Sequence, residues 1–319
     1  MVSLYTPMTD RSIWSGRLDA LADEYIYQTI QFLDLNLTQT TINPFNGYAL
    51  LGFESDAGVS RNLGNPGAKE GPAAFRRALA KFPVHAPFNL YDAGNVTCPK
   101  DDLEAAQTEL SVQVARILSH QLTPILIGGG HETAWGHFQG VTRHYQNKDI
   151  AILNFDAHFD LRPLIDGQFG SSGTPFRQIH DALHAQEKPF HYYCAGIQPF
   201  SNTKSAFDSA HAYGVHYLLA EKIDATPYDL RFIEHIIDTH EHIYVSICLD
   251  VFNAAIAPGV SAPQSLGIAA TYVVNALKRL KTSGKVISLE TVELSPKHDI
   301  NGQTAKLATS LLMTYLAAP

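Results

Sequence analysis

The sequence predicts an α/β fold in which one parallel sheet is covered by helices on both faces. Short apolar runs of strand length alternate along the chain with stretches whose apolar residues recur at helical spacing. Several runs are unbroken, as is typical of parallel strands buried on both faces. No linker, charge block or internal repeat divides the chain. We therefore expect one domain over residues 1–319, with 1–45 as an N-terminal extension packed on it.

The individual elements follow from these patterns. Six apolar runs are predicted as strands: 48–53, 124–127, 150–155, 190–197, 243–249 and 285–294. Four intervening segments are predicted as helices: 71–81, 101–120, 227–240 and 271–282. Pro72 lies just inside the first of these helices, where proline is favoured. The Gly- and Ser-rich segment 161–174 is predicted as a loop after a strand, where ligand-binding loops usually lie.

Composition excludes several classes of protein. The chain has 31 acidic and 23 basic residues, a net charge of −8, which argues against nucleic acid as a partner. Cys98, Cys194 and Cys248 cannot all pair within the chain and have no CxxC spacing, which favours a reducing compartment. No apolar stretch approaches the roughly 20 residues needed to span a membrane, and the N-terminus does not resemble a signal peptide. These features predict a cytoplasmic protein with no membrane partner.

A cluster of ionisable residues follows the strand predicted over 150–155. In an extended chain, Asp156, His158 and Asp160 would point to one side, because side chains alternate with a period of two. Burying such charges without partners is costly, whereas a divalent cation would neutralise them. A solvated acidic turn is the alternative. The spacing therefore indicates a candidate metal site.

Two other predicted strands end in potential ligands. His131 follows three glycines in GGGHE, and no Gly-Lys-Ser/Thr follows there, which excludes a P-loop. Cys248 and Asp250 are two residues apart in SICLD, so they would face the same side. A single Asp at a strand end more often caps a helix or forms a turn. Three strand ends that each carry such residues favour a shared site.

These motifs resemble the three signatures of the arginase/agmatinase/formimidoylglutamase family, the ureohydrolases. The matching segments are GGGHE, NFDAHFD and SICLDVFNAAIAPGVSAP. Residues 67–72 resemble the family's GxxEGP turn, and Glu293 in VELSPKHDINGQTAKLA resembles its Glu-x-x-Pro segment. The resemblance implies a three-layer αβα fold with a single parallel sheet of about eight strands. It also implies a homo-oligomer that acts on a small molecule.

The resemblance further implies a binuclear Mn²⁺ site. The predicted metal ligands are His131, Asp156, His158, Asp160, Cys248 and Asp250. The first ion would be held by His131, Asp156 and Asp160, and Asp156 would bridge to a second ion held by His158 and Asp250. The family carries an aspartate where this chain has Cys248, and Mn²⁺ prefers oxygen ligands to sulfur. Two interpretations therefore stay open, in which Cys248 either contacts a metal or is a small buried apolar residue.

Within the family, the chain is most similar to formimidoylglutamases. The segments ESDAGVSRN (54–62) and SSGTPFRQ (171–178) carry this likeness. Arginases have a proton-shuttling histidine where Phe176 stands, which argues against an arginase. The implied activity is hydrolysis of N-formimidoyl-L-glutamate to L-glutamate and formamide, in histidine degradation, by a metal-bound hydroxide. The alternatives are an agmatinase or other amidinohydrolase, or a metal-poor, weakly active or ligand-binding member because of Cys248.

Substrate contacts are predicted from charge. The substrate has two carboxylates, and a guanidinium binds a carboxylate through two parallel hydrogen bonds. The predicted substrate-binding residues are Arg162, Arg61, Ser172, Arg177 and Asn202. The alternative for each arginine is a solvated surface charge. The resemblance implies that Glu293 pairs with the amidinium, and we expect Asp160 to pass a proton to the leaving amine.

Overall fold

A computed structural model of the chain describes residues 3–37 and 47–318. These residues contain one ten-stranded sheet with the order β1-β4-β3-β5-β10-β9-β6-β7-β8, and β2 also pairs with β4. The strands are β1 Tyr5–Thr6, β2 Gln31–Phe32, β3 Tyr48–Glu54, β4 Leu90–Thr97, β5 Thr123–Ile127, β6 Ala151–Phe155, β7 His191–Ile197, β8 His216–Leu219, β9 Ile243–Cys248 and β10 Val286–Val292. Only the β1–β4 pairing is antiparallel among the described strands.

The eight longer strands, β3 to β10, are all mutually parallel, which confirms the predicted α/β class. The two additional strands are two-residue pieces that pair with β4. The six predicted strands are present with ends shifted by at most two residues. The sequence did not predict β4, because its polar residues Asp92 and Asn95 break the apolar run. Asp92 is nevertheless fully buried, since Arg76 pairs with it.

Helices cover both faces of the sheet. They are α1 Ile26–Thr29, α2 Ala57–Arg61, α3 Gly71–Leu79, α4 Leu103–Ser119, α5 Thr133–His144, α6 Pro175–His184, α7 Lys204–Ala212, α8 Ala220–Ala225, α9 Arg231–Thr239, α10 Ala270–Ser283 and α11 Gln303–Ala317. The core on one face includes residues of α3, α9, α10 and α11, and the core on the other includes residues of α4 to α7. This is the predicted three-layer αβα arrangement.

The four predicted helices are all present, and one begins later than expected. The segment predicted over 227–240 becomes helical only at Arg231, because Asp229 forms a turn in which its carboxylate accepts a bond from the Arg231 backbone N–H. In the described parts of the chain, no helix is both long and apolar enough to cross a membrane.

Within residues 3–37, several groups contact the sheet directly. β1 pairs with β4, and the Trp14 indole N–H donates to Asp92 Oδ2 at 2.8 Å. Residues 1–2 and 38–45 of the predicted N-terminal extension lie outside the described residues. The division into one domain with an extension stays a prediction.

The strand order determines where the candidate site lies. β5, β10, β9 and β6 are adjacent in the middle of the sheet, and they run in the same direction. Their carboxyl ends therefore meet at one edge. His131 follows β5, Asp156 follows β6, Cys248 ends β9 and Glu293 follows β10.

Candidate metal centre

The glycines before His131 allow two segments of backbone to approach closely. A Cβ atom at Gly129 would lie 2.0 Å from the carbonyl oxygen of Ser55, so only glycine fits there. The chain then enters α5 at Thr133. The backbone N–H of His131 donates to Glu293 Oε1 at 2.8 Å. The loop after β5 is thus held against the segment after β10.

The residues Asp156, His158 and Asp160 converge in a different way from the one expected. β6 ends at Phe155, so the three residues lie in a loop instead of on one face of an extended strand. Asp156 Oδ1 accepts the backbone N–H of His158 at 2.7 Å. Asp160 has a φ of +50°, in the left-handed region that side chains other than glycine seldom adopt. A turned backbone brings these side chains together, at a cost in strain typical of functional sites.

Five of the predicted ligands form one continuous cluster around Asp156. His131 Nδ1 lies 3.0 Å from Asp156 Oδ2 and 3.0 Å from Asp160 Oδ2. On the other side, His158 Nδ1 lies 3.5 Å from Asp156 Oδ1 and 3.2 Å from Asp250 Oδ2. Asp156 therefore occupies the shared position between two groups of ligand atoms.

Cys248 lies in the same cluster. Ligand atoms of His131, Asp156 and Cys248 lie within 4.8 Å of one another, as do those of Asp156, His158 and Asp250. Burial, together with the nearby carboxylates of Asp156 and Asp250, raises the pKa of the Cys248 thiol well above its ordinary value. The thiol is therefore close enough to contact a bound ion, and its surroundings favour the neutral form.

The pKa values in this cluster are shifted because its carboxylates and imidazoles lie close together in a buried site. Burial raises the pKa of Asp160, and the neighbouring charge of Asp156 adds to the effect. Burial opposes the charged form of His131 too, yet Asp156 and Asp160 raise its pKa well above the ordinary value. Asp156 has the opposite shift, because His131 and His158 outweigh its burial and lower its pKa. The carboxylates of the cluster therefore need more positive charge than its two histidines supply.

Two buried oxygens of the site have no hydrogen-bond partner among the described residues. They are Asp250 Oδ1 and Glu293 Oε2. Such orphaned atoms are rare in protein interiors. Carboxylate oxygens and imidazole nitrogens are ligands for Mn²⁺ and related divalent ions. The residues at this edge of the sheet therefore fit divalent metal ions.

Glu293 lies beside the cluster in a strained position. Its φ is +68°, and it follows directly after β10. Oε1 is used by the His131 backbone, which leaves Oε2 available for another donor. Burial and the nearby charges of Glu132 and Asp250 raise the pKa of Glu293 well above its usual range. A cation beside Oε2 would relieve this unfavourable environment.

Two predicted substrate contacts lie on the loop between β6 and α6. Arg162 is exposed, and its guanidinium forms no ion pair with any residue in the described ranges. Its backbone N–H donates to Gly173 O at 2.9 Å, which ties the start of the loop to its end. Ser172 is buried, and its N–H donates to Gly58 O at 3.1 Å. Backbone hydrogen bonds hold both residues in place, so their side chains remain available to a ligand.

Three other predicted contacts have different partners. Arg61 forms a bidentate pair with Glu104, with N···O distances of 2.6 and 3.0 Å. Arg177 pairs with Asp181 one turn along α6, at 2.7 Å. Asn202 uses its side-chain oxygen for the Phe159 N–H and its amide for the carbonyls of Ala157 and Gln198.

These partners change the interpretation of Arg61, Arg177 and Asn202. The two guanidiniums are neutralised by carboxylates within the chain, and Asn202 supports the backbone of the loop that carries His158 and Asp160. These contacts give the three residues structural roles, and their binding of substrate stays a prediction.

Phe176 occupies the interior beside His131. Its ring meets the imidazole edge to face, with centroids 5.2 Å apart, and stacks on Tyr192 at 4.4 Å. The ring is fully buried. A hydrocarbon side chain at this position packs one predicted ligand in place and offers no group that could carry a proton.

Sequence reasoning missed a second set of buried polar residues behind the predicted ligands. Asn154 Nδ2 donates to Asp156 Oδ2 at 3.1 Å, and His131 Nε2 lies 2.9 Å from Ser246 Oγ. Glu290 and His137 extend this network into the core. A signal was present, because each of Asn154, Ser246 and Glu290 interrupts an apolar strand that is otherwise buried.

Comparisons with known proteins agree with this geometry. A family model described as "Arginase family" matches residues 46–317. A formimidoylglutamase of Legionella pneumophila (strain Paris) is 42% identical over 319 residues, covering 99% of this chain and 98% of that protein. One from Geobacillus thermodenitrificans is 40% identical, covering 98% and 97% respectively. The crystal structure of Trypanosoma cruzi formiminoglutamase with Mn²⁺ shares the fold, with a TM-score of 0.79, 22% identity and coverage of 90% and 98%.

Proposed function

Since this chain belongs to the arginase family, we propose that it hydrolyses N-formimidoyl-L-glutamate to L-glutamate and formamide. The reaction class, cleavage of an amidine C–N bond by a hydrolase, follows from the family and from relatives named formimidoylglutamase. The observation that carries the proposal is the buried cluster of Asp156, Asp160 and Asp250 with two histidines, beside a glutamate that has one unpartnered oxygen.

The cluster would hold two Mn²⁺ ions. His131, Asp156 and Asp160 would bind one ion, and Asp156, His158 and Asp250 would bind the other, with Cys248 close to the first group. When bound, such ions supply an activated water and polarise the carbon that it attacks. The thiol of Cys248 in place of a carboxylate favours weaker binding of manganese.

The remaining residues would bind the substrate and move its proton. Glu293 Oε2 would accept a hydrogen bond from the amidinium, and its burial makes that ionic bond strong. Asp160 lies within 3.0 Å of His131 and remains partly accessible, so it can accept a proton and return it to the leaving amine. Arg162 would bind a substrate carboxylate, and Ser172 would offer a hydrogen bond to it.

The test of this function is turnover with defined substrates. The purified chain loaded with Mn²⁺ is expected to release glutamate from N-formimidoyl-L-glutamate faster than it releases urea from agmatine or arginine. Faster release of urea from agmatine would favour the alternative of an agmatinase. No turnover, with less than one ion bound per chain, would support the metal-poor alternative motivated by Cys248. A cytoplasmic location and a homo-oligomeric state remain predictions from the sequence.

The role of Arg162 can be tested against a matched arginine. Arg162→Ala removes a charged hydrogen-bonding group worth about 1.5–3 kcal/mol, so KM is expected to rise about 10- to 100-fold with a smaller change in kcat. Arg177→Ala is the control, because Arg177 pairs with Asp181. Equal KM values for the two variants would exclude Arg162 as the carboxylate-binding residue.

A further inference from the structure

A row of buried polar residues crosses the sheet directly beneath the predicted ligands. Asn154 on β6 lies opposite Ser246 on β9, and Ser246 lies opposite Glu290 on β10. All three are completely buried in strands whose other residues are mostly apolar. Since side chains alternate along a strand, Ser246 points to the same side as Cys248 two residues later. Asn154 is directed toward Asp156, to which its Nδ2 donates at 3.1 Å. The row therefore forms a polar layer under the metal centre.

The middle residue of this layer, Ser246, is bonded to His131. Its Nε2 lies 2.9 Å from Ser246 Oγ, and Ser246 Oγ donates to Glu290 Oε1 at 2.8 Å. A hydroxyl group has a single hydrogen, so Ser246 must accept from His131 when it donates to the carboxylate. His131 therefore carries its proton on Nε2. When the ring is neutral, as a metal ligand must be, its lone pair is therefore on Nδ1, the atom that lies 3.0 Å from both Asp156 and Asp160.

Glu290 can be buried as a carboxylate because His137 pairs with it. His137, from α5, has Nδ1 2.7 Å from Glu290 Oε2, and its Nε2 contacts Ser288 Oγ. Burial alone would raise the pKa of Glu290, but the hydrogen bond and charge of His137 outweigh it and hold the pKa below the ordinary value. An unpaired carboxylate in this core would be costly. The pair with His137 thus maintains an acceptor at a fixed place behind Ser246.

We propose that Glu290, paired with His137 and joined to His131 through Ser246, is a positioning residue that sets the tautomer and orientation of His131. Through Ser246 it accepts the Nε2–H of that ring, so that Nδ1 is presented to a divalent cation. The inference rests on the metal centre proposed above. Partners of this kind behind a ligand histidine commonly change metal affinity by about 10- to 100-fold.

Two buried serines provide a matched test. Ser246→Ala breaks the link between Glu290 and His131, whereas Ser288→Ala removes an equally buried hydroxyl that contacts the far side of His137 and the carbonyl of Pro124. Mn²⁺ affinity, measured by calorimetric titration of folded protein, is expected to fall about 10- to 100-fold in the first variant and less than about threefold in the second. Ser246→Thr, which keeps the hydroxyl, should restore most of the lost affinity. Equal losses in the two alanine variants, or none in Ser246→Ala, would overturn the proposal.

A metal-free measurement separates this inference from the proposed function. The Nε2–H resonance of the His131 ring reports whether that proton is bonded to Ser246, and it can be assigned by its absence in His131→Asn. The metal-free chain is expected to show an Nε2–H that exchanges slowly with solvent, because Ser246 accepts it, and Ser246→Ala is expected to lose this protection. Equal protection in Ser246→Ala and in the parent would exclude the link through Ser246. Failure of the parent chain to bind Mn²⁺ would instead overturn the metal centre and leave the exchange result standing.

Discussion

Two groups of buried charges lie in this sheet, and they are completed in different ways. Near one edge, Arg76 and Asp92 form a bidentate pair with both N···O distances at 2.8 Å, and both side chains are fully buried. Trp14 also donates to the carboxylate, while Asn95 and the carbonyl of Gly94 accept the remaining guanidinium bonds. Every charge there has a partner within the chain.

The candidate metal centre is also largely buried, but some of its polar atoms lack partners among the described residues. Asp156, Asp160 and Asp250 lie together with two imidazoles, and oxygens of Asp250 and Glu293 have no partner among the described residues. The chain keeps this arrangement although unpaired buried charges oppose folding. The comparison shows that burial by itself does not distinguish structure from function. What distinguishes them is whether the chain supplies all of the opposite charge.

The largest effect is expected at the residue shared by both groups of predicted ligands. Asp156→Asn should lower kcat/KM for formimidoylglutamate by about a thousandfold or more, because losing bound metal removes several kcal/mol of transition-state stabilisation. The metal-free variant should be less stable than the parent, because Asp156 is held ionised by His131 and His158 and its loss removes that attraction. Kinetics and denaturant unfolding check the two parts. Turnover within tenfold of the parent would contradict the ligand assignment.

A substitution in the fully partnered Arg76–Asp92 pair should lower the stability of the fold and leave metal binding unchanged. Asp92→Asn leaves the Arg76 charge buried without its carboxylate, so the free energy of unfolding is expected to fall by about 3–5 kcal/mol. Guanidinium unfolding of the metal-free chain measures this change. Metal content per folded chain should stay at the parent value. Asp19→Asn serves as the control because Asp19 forms an exposed pair with Arg17, and it should leave the unfolding midpoint unchanged.

The smallest effect concerns the one sulfur atom in the cluster. Cys248→Asp replaces a thiol with a carboxylate in the space shared with His131 and Asp156, so Mn²⁺ affinity is expected to rise about tenfold. Cys194→Ser, at a buried position on β7, should bind Mn²⁺ like the parent. Unchanged affinity in Cys248→Asp would place the side chain of residue 248 outside the ligands and make the thiol a packing residue.

Several features of the site were available in the sequence. The motifs carrying His131, the Asp156–Asp160 loop and Asp250 lie at strand ends, and parallel strands bring their carboxyl ends to one edge of a sheet. The pair between Arg177 and Asp181 was not predicted, because no helix was expected where α6 lies. The pair between Arg61 and Glu104 was not predictable either, because its members are 43 positions apart in sequence.

The sequence by itself determined the α/β class, the central strands and the segments that bear predicted ligands, because these depend on local hydrophobic period and on motifs. Tertiary structure decided the order β5-β10-β9-β6, which brings those segments together. It also decided which polar groups are already partnered, as in Arg61 and Asn202, and which remain open, as in Asp250 and Glu293. The physical reason is that partner choice depends on distances between residues remote in sequence, which no local pattern encodes.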